Sequence, residues 1–388
     1  MTILGGVGHR IALALLRDFD PDELQHLHSA YSVSRGLHPY FDYFDHHATW
    51  FAGSASWLVS SLGTGWHTLM TARLVSGAIS LVTLALVAAL ARDACRAWGQ
   101  FQSKNERPGA DHAGNPGRER FAAVAASLAY ATNLTQLDKA VEVRPDVPAT
   151  LFFVLAIRTF LSALRAPAAA ASLPPADDAN RRRVRQSAVA GLLLGCGFML
   201  TPKLAFAAIG MGLGTLACAG LLPREARRLL AALTVLTLSS LVPLAATAAL
   251  LAARGHLEPF IRDVIVGPLG WAREIGPSVH LWILVERNPL HVLVGGLGLL
   301  GMGATGLGSR NRLLQSPELL VVPAAAVLII VGWFIVPVPW PQFLLPLWPL
   351  FAIGAAAALD PLRRPVHLAL AGALMLAAVG ALTYLSHL

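Results

Sequence analysis

Runs of about 20 largely apolar residues recur along this chain from Thr68 onward, each long enough to cross the ~30 Å hydrocarbon layer of a bilayer as a helix. A globular core has no use for so much apolar sequence. With 55% hydrophobic residues, 13% charged residues and a mean hydropathy of +0.59, the 388-residue chain reads as an integral membrane protein. The alternating pattern of a membrane β-barrel is absent, and Ala-, Leu-, Val- and Gly-rich runs suit helices that pack through small residues. The expected fold class is all-α, a polytopic helical bundle forming a single transmembrane domain over 1–388.

Charge sets the orientation. The formal net charge of +8 does not point to nucleic acid, because more than half of the 30 Lys and Arg residues lie in short connections between apolar runs. These are Arg92–Arg120, Arg181–Arg185, Arg224–Arg228, Arg310–Arg312 and Arg363–Arg364, which the positive-inside rule places in the cytoplasm. Between them the apolar runs come in pairs: 121–137 with 147–165, 188–200 with 204–221, 229–252 with 289–308, and 318–336 with 341–359. Residues 1–17 read as a retained first helix, since no small-residue cleavage site follows. Cys95, Cys196 and Cys218 give neither a disulfide framework nor a thiolate metal site.

Parity then decides the stretch "HPYFDYFDHHATW", His38 to Trp50, the most polar and aromatic in the chain. If Ala48–Leu62 crossed the membrane, the Arg92–Arg120 connection would fall outside. A juxtamembrane helix lying along the outer surface, with Trp50 and Trp57 at headgroup level, keeps every basic connection inside. About 11 transmembrane helices follow, with external loops at 18–68, carrying juxtamembrane helices, and at 254–288, and cytoplasmic loops at 93–120 and 166–187. Two low-complexity stretches, Gln102–Arg118 and Ala166–Asn180, read as disordered connectors.

The charged residues collect on the external side. Asp22 and Glu23 open an amphipathic helix capped by Asp20 with Pro21 in its first turn; they are either an ordinary acidic helix start or a surface carboxylate placed as a general base. Neighbours on a helix point apart, so Glu23 is expected to matter less than Asp22. Glu142, Arg144 and Asp146 sit at a membrane-lip turn, as solvated turn residues or as a guanidinium for phosphate with a carboxylate to orient it. Lys203, at the helix break of "FMLTPKLAF", either snorkels or meets an anionic ligand. His46 and His47 beside Asp45, with His26 and His28 nearby, leave a divalent metal open, although no HExxH arrangement occurs. Arg254–Arg287, with Trp271, His280 and Trp282, is long enough to serve as a lid or substrate loop.

The order of these features resembles the GT-C membrane glycosyltransferases. An acidic pair follows the first helix, then come "SRGLHPYFDYFDHH", "ARLVSGAISLVTLALVAALAR", an Arg-Pro-Asp turn, "GFMLTPK" and "PWPQFLLPLWPLFAI". The chain is similar to bacterial relatives of protein O-mannosyltransferases and of the aminoarabinose transferases that modify lipid A. That resemblance implies a polyprenyl-phosphate-linked sugar donor, an envelope acceptor (lipid A, lipopolysaccharide, another glycan or a protein) and transfer with inversion at the periplasmic face of a bacterial inner membrane. It implies Asp22 as general base, Asp45 as the second catalytic carboxylate, and Glu23, His46, His47, Glu142, Arg144, Asp146, Lys203 and Gln342 as substrate-binding residues. Relatives commonly continue His-His-Pro-Pro where this chain has His46-His47-Ala48-Thr49. No nucleotide-binding fingerprint is visible, in keeping with a lipid donor. The competing reading is a transporter or flippase of an envelope precursor, which would place ionisable residues near helix centres. Arg158, inside an expected crossing, is a residue of that kind.

Overall fold

The computed structural model describes residues 2–45, 47–105, 116–165, 176–270, 276–309, 313, 315–336 and 340–360. Fourteen principal helices are named here: α1 (Thr2–Leu16), α2 (Pro21–Ser34), α3 (Thr49–Leu62), α4 (Trp66–Asn105), α5 (Pro116–Ala131), α6 (Leu134–Lys139), α7 (Asp146–Leu164), α8 (Ala176–Leu200), α9 (Leu204–Leu221), α10 (Ala226–Ala253), α11 (Pro277–Glu286), α12 (Pro289–Gly308), α13 (Glu318–Ile335) and α14 (Leu347–Leu359). Short helical turns over 257–269 include one π segment, Ile261–Val266.

Six of the described helices are long and apolar enough to span a bilayer: α4 over Trp66–Arg96, then α7, α9, α10, α12 and α13. The chain is thus a multi-pass membrane protein. Other expected crossings coincide with α1, α5, the apolar half of α8 and α14, and the last falls in 361–388, outside the described residues. Ala48–Leu62 forms the short helix α3, and α2 and α3 pack together as the paired helices of the first loop.

The connections expected as loops differ in detail. Segment 93–105 prolongs α4, 116–120 begins α5 and 176–187 begins α8, so the disordered reading of Gln102–Arg118 and Ala166–Asn180 is corrected at these ends. Ala, Arg, Gln and Lys are strong helix formers and need no apolar environment to prolong a helix already nucleated by packing. Segments 106–115 and 166–175, with Arg310–Arg312 and Arg363–Arg364, lie outside the described residues. Arg158 also loses its anomaly, because its Nε donates to Asp93 Oδ2 at 3.0 Å.

Lipid tails are as apolar as leucine, so helices gain little from hiding apolar surface and instead associate by close backbone approach. Three seams do this with glycine. Gly191 and Gly195 of α8 meet the Leu236 and Ser240 carbonyls of α10; Gly210 and Gly214 of α9 meet Ala325 and Val321 of α13; Gly295 and Gly298 of α12 meet Phe351 and Gly354 of α14. A Cβ on Gly298 would lie 1.8 Å from the Gly354 oxygen, whereas one on Gly296 would meet nothing within 4 Å. Gly298→Leu should therefore destabilise the protein by about 1–3 kcal/mol or more, the usual cost of overpacking, while Gly296→Leu changes little. Melting curves in detergent would test this, and equal behaviour of the two variants would refute it.

Candidate active site

Local chemistry shapes the first loop. Asp20 caps α2 by accepting from Asp22 N at 2.8 Å, and Glu23 completes the capping box with Pro21 in the first turn, as its sequence predicts. Further on, Tyr40 takes up φ +71°, rare for a side-chain-bearing residue. Its hydroxyl donates to the His47 carbonyl at 2.5 Å and its amide to the Tyr43 carbonyl at 2.8 Å. The strained turn fixes the segment carrying Asp45 and His47. His47 N donates to Asp45 Oδ1 at 2.9 Å, His47 Nδ1 lies 3.2 Å from the same oxygen, and Ser29 Oγ of α2 donates to Asp45 Oδ2 at 2.9 Å. Burial alone would raise the Asp45 carboxyl, but these bonds and the charge of His47 hold it below the usual carboxylate range.

The second half comes from the turn before α7. Arg144 donates through Nη1 to Glu142 Oε2 at 2.7 Å and through Nη2 to Asp22 Oδ2 at 2.8 Å; its Nε lies 3.6 Å from Asp146 Oδ2 without a hydrogen bond. Burial would favour a neutral Arg144, but Asp146, Glu142 and Asp22 hold it charged. Glu142, fully buried, also accepts from Lys139 Nζ at 2.6 Å and from Arg17. Lys203 Nζ lies 3.4 Å from Asp146 Oδ1 and 5.9 Å from the Phe343 ring centre. Gln342 is buried on the turn beside Phe343.

The fold thus brings Asp22, Asp45, His47, Glu142, Arg144, Asp146 and Lys203 to one end of the bundle; His46 lies outside the described residues. Asp22 is open, its side chain 40% exposed, and Lys203 is 32% exposed. Glu23 faces inward. Its carboxylate takes Arg73 Nε at 3.0 Å and Arg73 Nη2 at 2.6 Å, with both side chains 0% exposed, and accepts Val143 N at 3.1 Å. Arg73 also donates to the carbonyls of Ala14, Arg17 and Asp18 at 2.9–3.2 Å. Glu23 therefore anchors the site.

The sequence did not reveal the part played by two residues. Arg73 is the lone charge in the apolar run that begins α4, which is itself a signal because an ionisable group there must have a partner. His26, considered only as a metal ligand, is buried with its ring edge-on to His47 at 4.5 Å and to Phe51 at 5.3 Å. Burial, with His47 and Arg144 nearby, keeps its imidazole well below the ordinary value. Among the described residues no three His, Cys, Asp or Glu side chains are grouped to hold a metal.

The anchoring pair makes a prediction that reverses the expected ranking of the acidic neighbours for folding. Glu23→Gln leaves a buried guanidinium uncompensated and should cost about 3–5 kcal/mol, whereas Asp22→Asn at its half-open position should cost no more than ~1 kcal/mol. Thermal unfolding in detergent measures both. An unchanged melting temperature for Glu23→Gln would remove its anchoring role.

No protein-family model matches the sequence, and no curated protein matches it. Solved structures do share the fold. The crystal structure of ArnT from Cupriavidus metallidurans bound to undecaprenyl phosphate superposes with a TM-score of 0.65 at 16% identity, covering 92% of this chain and 59% of that one. The Archaeoglobus fulgidus oligosaccharyltransferase in complex with zinc and sulfate gives 0.54 at 16% identity, covering 99% and 52%. The same organism's AglB with an inhibitory peptide and a dolichol-phosphate gives 0.50 at 14% identity, covering 95% and 51%. The chain thus spans between half and three fifths of the length of these proteins, and what it shares with them is the GT-C membrane fold.

Proposed function

We propose that this protein is an inverting glycosyltransferase that moves a sugar from a polyprenyl-phosphate-linked donor to an envelope acceptor, at the periplasmic face of a bacterial inner membrane. The observation that carries this reading is Asp22, a half-open carboxylate held at 2.8 Å by a buried guanidinium inside a GT-C fold. That structures of the fold neighbours hold undecaprenyl phosphate or a dolichol-phosphate supports the donor class.

A sugar phosphoester is already activated, so the protein's task is to align, deprotonate and stabilise. The acceptor oxygen attacks C1 from the face opposite the phosphate, the C1–O bond to phosphate breaks, and the acceptor proton passes to Asp22. Arg144 has both terminal nitrogens committed to Glu142 and Asp22, so its natural work is to aim the Asp22 carboxylate. Lys203 is the more open cation and the better partner for the departing phosphate, with Asp146 holding its ammonium. Asp45 fixes the ring of His47 at the rim, where it meets the acceptor. Glu142 and Gln342 support the floor.

Asp22→Asn keeps the helix-start geometry yet removes the base, and should lower transfer by about 10²–10⁴-fold with folding intact. Lys203→Ala should lower it by about 10²–10³-fold. Purified protein with a polyprenyl-phosphate sugar and envelope extract gives the readout, and an Asp22→Asn enzyme within about tenfold of wild type would sink the mechanism.

Orientation is tested separately. A cysteine at Gly276, on the same end as the acidic cluster, should react with an impermeant thiol reagent in intact spheroplasts, whereas one at Asn180, toward the other end of α8, should not. The reverse pattern would turn the site to the cytoplasm.

A further inference from the structure

The end of the bundle away from the acidic cluster carries a second polar concentration with different bonding. Arg165 follows α7, Arg183 lies on the first half of α8, and Arg228 opens α10. Gln186 Nε2 donates to Ser162 Oγ at 3.2 Å, which sets α8 alongside the end of α7, and Arg228 Nη2 donates to the Leu164 carbonyl at 2.6 Å. Arg183 and Arg228, which act on each other electrostatically, therefore share one mouth between α7, α8 and α10, while Arg165 at the adjoining end of α7 faces Glu318 of α13.

What distinguishes the mouth is its unmet hydrogen bonding. Among the described residues, the Nε of Arg183, the Nε of Arg228 and the Oγ of Ser187, a residue fully shielded from solvent, are buried without a hydrogen-bond partner. A buried donor left unpaired costs about 1–3 kcal/mol, and arginine has no way to lose its proton and escape that cost. The carboxylates nearby do not suffice. Glu225 takes Arg228 Nη1 at 2.8 Å and leaves Nε, while the buried Glu318 is already the ion-pair partner of Arg165 at 3.5 Å and does not reach Arg183 or Arg228. Like charge is also unrelieved, for burial together with the neighbouring Arg228 lowers the Arg183 guanidinium below its ordinary value despite Glu225.

We infer that the ends of α7, α8 and α10 bind the phosphate of an anionic membrane phospholipid, with Arg183 and Arg228 as its principal donors and Ser187 at its side. A phosphodiester brings several acceptor oxygens to a cluster rich in donors, and guanidinium groups match it in the plane. The site lies at the ends of α7 and α10, both long and apolar enough to span a bilayer, which is where a lipid headgroup would present its phosphate from within the bilayer. The exposed Arg181, Arg182 and Arg185 on the same helix end supply long-range attraction without forming the site.

The test uses the full chain in nanodiscs of phosphatidylcholine containing a minor fraction of phosphatidylglycerol, with retained lipid counted by native mass spectrometry. Wild type should hold phosphatidylglycerol at least about tenfold above its bulk share, an amount corresponding to ~1.4 kcal/mol. Arg183→Gln with Arg228→Gln should lose most of that enrichment, and Arg181→Gln with Arg182→Gln should keep it. The single Arg183→Gln variant, at a partly exposed position, reads the same effect if the double variant fails to fold. Enrichment unchanged in the Arg183 variants, or equally lost in the Arg181 and Arg182 control, would overturn the site in favour of diffuse surface charge. Displacement of the lipid by millimolar inorganic phosphate would overturn the lipid as its ligand.

Discussion

The Arg73–Glu23 pair is the contact on which the acidic end of the molecule depends. Both side chains are fully buried, and between them they tie α2 to α4, to the end of α1 and to the turn before α7. Two charges withdrawn from water are tolerable only when each meets the other in good geometry and the remaining donors are satisfied. Arg73 meets this condition with a two-pronged grip on the carboxylate and three backbone carbonyls, so the first loop is held to the bundle as a rigid wall.

On that wall the remaining charges divide by accessibility. Glu142 is buried among Arg17, Lys139 and Arg144, and Arg144 in turn reaches outward to Asp22. The arrangement resembles a ladder in which each rung is paired more openly than the last, ending at a carboxylate that water or a substrate hydroxyl can reach. A half-open carboxylate held by a buried cation is fixed in position yet open to solvent on its other side. Lys203 reaches the same zone from the break between α8 and α9 and pairs there with Asp146.

The bundle supports these fixed positions through packing that a membrane demands. Seams at Gly191, Gly195, Gly210, Gly214, Gly295 and Gly298 bring backbones together where side chains would hold them apart. Close backbone contacts at these seams suit a site built on helix ends and tight turns. At the other end of the bundle carboxylates also meet arginines, as in Arg96–Glu119 and Arg118–Asp360, but the Nε donors of Arg183 and Arg228 are left without a hydrogen bond among the described residues.

The sequence by itself determined the membrane class, the positions of the spans, the Asp20 cap with Pro21 and Glu23, and the gathering of Asp22, Asp45, Glu142, Arg144, Asp146 and Lys203 at one end, because these follow from length, local spacing and alternation of apolar runs. Only the tertiary structure decided which carboxylate is open and which is an anchor. Asp22 and Glu23 are neighbours with the same chemistry, and their fates diverge through Arg144 and Arg73, 122 and 50 residues away in the chain. The place of His26 against His47, and the partner of Arg158 on α4, were hidden for the same reason. Hydropathy and capping act over a few residues, whereas the pairing of buried charge is fixed by which helix ends meet, and that is a property of the packed bundle.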